Sequence, residues 1–195
     1  MENVQAAVNR KKELQLPVTI GSQLVLLPEN TNLVIALAGK LKEIGVDYFS
    51  IKPYSRHPLS KNHLRIDYSQ YLYLEEELRK LSNEKFKVIF RADSMRKTGM
   101  KKAYGKCYGT GFISFVSANG DVWECNVFVG DKNFLIGNTN KQSMMQIWQS
   151  SRREQILSFI NNGFSLENCR DLCRMDACNA YLWRLKNPLP HDNFI

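Results

Sequence analysis

CYGTGFISFVSANGDVWEC, from Cys107 to Cys125, is the stretch on which the reading of this 195-residue chain turns. Apolar residues alternate on either side of Ala118-Asn119-Gly120-Asp121, and Asn-Gly between two strand-like runs is the strongest short signal for a β-hairpin. The hairpin sets Cys107 just before its first strand and Cys125 at the end of its second, so 17 intervening residues fold the two thiols towards each other. Gln142 to Ile160 then reads as one or two helices, with Ile147, Trp148, Ile156 and Ile160 apolar, and Asn161-Asn162-Gly163 ends them. Cys169, Cys173 and Cys178 follow within ten residues, completing a set of five cysteines of which the first 106 residues hold none.

Thiols confined to one half of a chain point to a local cross-link, by disulfides or by metal. The N-terminus MENVQAAVNRKKELQ lacks the apolar core of a signal peptide, and no run approaches the roughly 18 apolar residues of a membrane span. A cytoplasmic, membrane-free protein is therefore expected, where thiols stay reduced. Five is also an odd number. Metal ligation by Cys107, Cys125 and two cysteines of the 169–178 segment is the better reading, with zinc and iron–sulfur both open by ligand type.

Upstream of the hairpin, strand and helix signals alternate. Leu16 to Pro28 is a β-branched and Leu-rich run. Cap-forming Glu29 to Asn32 precede a helix in which Leu33, Leu37, Leu41 and Ile44 recur at helical spacing, and Gly45 sits at its C-cap. Val46 to Ile51 is a second strand, Ser69 to Leu81 a second helix, and Phe86 to Phe90 a third strand. This is the pattern of parallel βαβ units. Three strands make only part of a doubly wound sheet or an eight-stranded barrel, so further strands are expected from a preceding segment or a partner chain.

The charge is +8, with 14 Lys+Arg against 10 Asp+Glu in residues 1–92 and 13 against 9 in residues 93–195. So even a spread, without aromatic and basic residues interleaved, argues against a nucleic-acid arm. The densest basic run, Arg96, Lys97, Lys101, Lys102 and Lys106, reads as a solvated connecting loop. Gln23, Lys52 and Arg91 lie on or near strand ends, where an α/β sheet meets its ligands; with neighbouring Ser22 they are candidates for binding a nucleoside or an anionic substrate, or plain solvent-facing residues. His57, His63 and His191 lack nearby carboxylate or thiol partners and read as surface residues. Trp123, Trp148 and Trp183 read as core.

The Cys107–Cys125 hairpin, the Gly137-Asn138 and Ile147-Trp148 steps of FLIGNTNKQSMMQIWQSSRR, the run NCRDLCRMDACNAYL and the tail NPLPHDNFI together resemble the auxiliary-cluster domain of radical S-adenosylmethionine (radical SAM) enzymes. That domain is called SPASM, or twitch in its one-cluster form. The resemblance implies an α/β chain with two domains. Residues 1–92 would be the C-terminal part of the partial parallel (βα) barrel of such enzymes, and residues 93–195 a small α+β auxiliary-cluster domain. It further implies one auxiliary [4Fe-4S] cluster held by Cys107, Cys125, Cys169 and Cys173, with Cys178 either replacing Cys169 or packing beside the cluster. S-adenosylmethionine would bind only in a complete enzyme, because the family's CxxxCxxC loop is absent from this sequence. The substrate, a small molecule or a peptide, is left open by the residues. The alternative is a non-catalytic zinc- or cluster-binding module whose exposed strand edges are covered by a partner chain.

Overall fold

The computed structural model describes residues 1–62 and 64–192. His63 and the last three residues of the NPLPHDNFI tail lie outside the described residues. The chain divides into two compact units, one of residues 1–55 and 64–100, the other of residues 56–63 and 101–195.

The first unit runs α1 (Glu2–Glu13), β1 (Gly21–Leu26), α2 (Val34–Ile44), β2 (Tyr48–Pro53), α3 (Leu74–Arg79), β3 (Lys87–Phe90) and α4 (Ala92–Arg96). The three strands form a parallel sheet in sequential order, with Leu24 beside Ile51 and Ile51 beside Phe90. Alternation along the strands sends Leu24, Leu26, Phe49, Ile51, Val88 and Phe90 into a core shared with Val8, Val34, Ala38, Leu41, Leu74, Leu78 and Met95. Leu26, Phe49 and Ile51 are almost wholly buried, and such side chains contribute about 1.5–3 kcal/mol each. The same alternation turns Gln23, Val25, Ser50, Lys52 and Ile89 to the opposite face.

The expected βαβ alternation is present, with shifted bounds. β1 is shorter than the run Leu16 to Pro28, because a 3-10 turn over Pro28–Leu33 precedes α2; there Asn30, not a helix cap, uses its Oδ1 to accept from Leu27 N at 3.0 Å. Gly45 does close α2, at φ 94°. The helix expected over Ser69 to Leu81 splits into a 3-10 turn, Tyr68–Tyr71, and α3. α1 has no counterpart in the sequence reading; of its residues only Val8 is buried, so its apolar pattern is faint.

The second unit is built around a small antiparallel sheet, β4 (Phe115–Val116), β5 (Asp121–Trp123) and β6 (Leu135–Asn138), followed by α5 (Met144–Trp148), α6 (Ser151–Asn162) and α7 (Asp176–Lys186). The hairpin closes as its turn residues dictate: Ser117 N donates to Asp121 O at 2.9 Å, and Gly120 takes φ 83°. Its first strand is only two residues long, and a 3-10 turn over Gly109–Phe112 stands between it and Cys107. The helical stretch breaks into α5 and α6 where Ser150 caps α6 by accepting from Arg153 N. Val122, Val127, Phe128, Phe134, Ile136, Ile147, Ile156 and Ile160 form a second core, on which Cys107 and Cys125 pack. Among the described residues no helix is long and apolar enough to cross a membrane.

Candidate metal centre

All five cysteines belong to the second unit, and all are half-buried and free of disulfides. Cys107 enters the 3-10 turn before β4, and Cys125 follows β5 and precedes the short turn Asn126–Phe128. Cys169 and Cys173 lie in the irregular segment ahead of α7, and Cys178 sits in the first turn of α7. Cys173 and Cys178 therefore do not share a helix, because α7 starts only at Asp176.

Four of the thiols act on one another. The Cys169 thiol donates to Cys173, which pulls the Cys173 thiol below its ordinary range and pushes Cys169 above it. Met175 N also donates to Cys173 Sγ at 3.4 Å, favouring its thiolate. Burial pushes Cys125 up to about 11, against the backbone N–H groups of Val127 and Phe128, and the charges of Cys173 and Cys107 raise it further. Burial likewise raises Cys107, which the Asn179 side chain and Thr110 N–H oppose.

Such a pocket disfavours bare thiolates while aiming N–H donors at the sulfurs. A cationic centre with sulfur ligands matches both features, because it compensates the charge that burial resists. By donor chemistry the residues fit a thiolate-bound metal group. Among the described residues no three or more His, Cys, Asp or Glu side chains are grouped so as to hold a metal ion as they stand; the thiols are neighbours without converging.

Behind the sulfurs lies a polar network. Lys102 Nζ donates to the carbonyls of Arg170 (3.1 Å) and Asp171 (3.4 Å) and to Asp176 Oδ1 (3.0 Å). Tyr104 OH donates to the same oxygen, and burial together with Asp176 raises the phenol, so it remains a donor. Asp176 Oδ2 accepts from Cys173 N at 2.9 Å. Lys102 is thus no residue of a solvated loop, contrary to the expectation for the basic run: its side chain is 15% exposed and clasps the segment carrying Cys169 and Cys173. The missed signal was Asp176, whose partner is distant in sequence.

Residues 107–179 match the SPASM family, described as an iron-sulfur cluster-binding domain. This part of the chain is similar to a SPASM domain. The matched range takes in Cys107, Cys125, Cys169, Cys173, Cys178 and Asn179. Iron–sulfur rather than zinc is the group such a domain binds. No curated protein matches the chain. Among solved structures, BtrN in an open conformation is similar at 16% identity and a TM-score of 0.31, over 88% of this chain and 64% of that one. BtrN in complex with AdoMet and 2-DOIA is similar at 14% identity and a TM-score of 0.32, over 83% of this chain and 61% of that one. The chain thus spans less than two thirds of the length of these two proteins.

The other candidates lie in the first unit. Lys52 Nζ donates to Gln23 Oε1 at 2.9 Å, on the sheet face turned away from the helices. Arg91 follows β3 and donates its backbone N–H to Ile51 O at 3.0 Å, extending the ladder. Gln23 and Lys52 are brought together, whereas Arg91 lies just past the end of β3, as the N-cap of α4. His57 is half-buried and His191 exposed, and His57 Nδ1 accepts from Leu59 N at 3.2 Å. Trp123 is buried as expected, whereas Trp148 lies against Arg153, 3.6 Å from its guanidinium carbon, and Trp183 stacks on Tyr108.

Proposed function

We propose that this chain is the C-terminal portion of a radical SAM/SPASM-type enzyme, in which Cys107, Cys125, Cys169 and Cys173 hold one auxiliary [4Fe-4S] cluster beside the substrate. The observation that carries this reading is the SPASM match over residues 107–179, which takes in all four of these thiols from two distant segments. When bound, such a cluster supplies one-electron chemistry or structural support. The protein's own part is to keep the sulfurs in a half-buried pocket, to direct N–H groups at them, and to clamp the Cys169–Cys173 segment through Lys102 and Asp176.

The first unit suits a piece of a βα barrel. Its parallel strands follow in order with helices on one face, the winding of a barrel rather than the reversing order of a doubly wound sheet. In that setting Gln23, Lys52 and Arg91 would line the inner face and meet S-adenosylmethionine or an anionic substrate. Since CxxxCxxC does not occur in this sequence, radical generation would fall to a further segment or a partner chain.

Anaerobic purification tests the reading. The expected product is brown, carries about four irons per chain, and loses them in both Cys107→Ser and Cys173→Ser. A colourless protein with one zinc would favour the non-catalytic module instead, and variants that keep their full iron would overturn the ligand set.

A further inference from the structure

Asn179, fully buried in α7, faces Cys107 across 72 residues of sequence. Its Oδ1 accepts from Gly109 N at 2.6 Å, and its Nδ2 lies 3.4 Å from Cys107 Sγ. A backbone N–H can only donate, so Gly109 fixes which end of the amide is oxygen. The NH2 end is thereby obliged to face the sulfur. Nearby, Tyr104 donates to Asp176, which accepts from Cys173 N.

The approach of the two segments is tight. A Cβ on Gly109 would come within 2.9 Å of Met175 Cε and 3.1 Å of Asn179 Oδ1. A side chain at 109 would press on Met175 and Asn179, so glycine favours the close approach of the turn after Cys107 to α7, where Asn179 Nδ2 donates to this sulfur. A burial of this depth without full satisfaction would be costly, and the amide is satisfied at both ends.

We infer that Asn179 is a positioning residue that sets the reduction potential of the auxiliary cluster by donating a hydrogen bond to the Cys107 sulfur. The inference rests on the cluster reading above. An added electron increases negative charge on the sulfurs, so a fixed donor stabilises the reduced form and raises the potential. Removing the donor moves the potential down.

The test is a dithionite titration of the anaerobic holoprotein followed by electron paramagnetic resonance, with iron counted in each sample. Asn179→Leu withdraws the donor with a side chain of similar size and adds no charge. Iron content equal to the wild type with a midpoint shifted to more negative potential is the expected result. An unchanged midpoint at equal iron overturns the inference and leaves the cluster assignment standing. Should the variant fail to load, pulsed resonance of the reduced wild type, with asparagine side-chain amides labelled with 15N, decides the matter. A nitrogen coupling that changes with the label supports the bond, and its absence sinks it. A wild type without iron removes both the inference and the reading beneath it.

Discussion

Arg153 Nε stands 3.1 Å from Glu124 Oε2, and both side chains are almost completely removed from solvent. Arg153 also donates to Gly111 O at 3.0 Å and to Trp148 O at 3.4 Å. Glu124 immediately precedes Cys125, and Gly111 lies four residues after Cys107. A single guanidinium from α6 therefore ties together the two arms that carry the first pair of thiols. The carboxylate keeps one oxygen, Oε1, without a partner, and burial lifts its pKa to about 7 in spite of Arg153.

Removal of Arg153 strands that carboxylate in the interior. Arg153→Met is expected to cost about 3 kcal/mol in urea unfolding, the scale of a broken buried pair. Pairing it with Glu124→Leu should restore much of the loss, because neither charge then remains to be desolvated. A single variant as stable as the wild type would show that the pair is not the tie between the arms.

The two C-terminal candidates for the fourth sulfur separate by substitution. Cys169→Ser is expected to lower iron content sharply, since Cys169 and Cys173 share the irregular segment ahead of α7 and each shifts the other's thiol. Cys178→Ser should keep its iron, because that thiol sits within α7 and not in the irregular segment ahead of it that carries Cys169 and Cys173. Iron analysis of the two variants side by side checks this, and the reverse outcome would move the ligand to α7.

The first unit has its own electrostatic latch. Both Asp47 oxygens accept from Lys11 Nζ at 2.7 Å, and Oδ2 also accepts from Ile20 N at 2.6 Å. The Lys11 hydrogen bond, aided by Ile20 N–H and opposed by burial, holds the carboxyl below its ordinary 3.8. The folded state thus takes up this proton at lower pH than the unfolded state does. Its stabilisation is complete above pH 3.8 and is lost as pH falls through the depressed folded value. Asp47→Asn should cost about 1 kcal/mol near neutrality, small because water reaches both partners. The difference from the wild type should vanish in strong acid. Urea titrations across pH measure it, and a gap that persists or widens in acid would contradict the assignment.

Much of the architecture was legible in the residues. The Asn119-Gly120 turn forces its hairpin, Gly45 stops α2, and the apolar alternation of VDYFSI and FKVIF sets the buried face of the parallel sheet. These features are local, so a short window contains their cause. β6 escaped notice because LIGN is too short to show alternation and gains its place by pairing with β5. α1 escaped because a helix with a single buried residue has almost no apolar face to read.

The chain's own letters determined the donor set: which thiols exist, how the hairpin presents Cys107 and Cys125, and that a further pair arrives near the end. Only the tertiary structure decided what surrounds the sulfurs. Lys102 meets Asp176 and Asn179 meets Cys107 across more than 70 residues. Contacts of that span depend on closing long loops and on the packing that repays the lost entropy, and they leave no periodic trace in sequence.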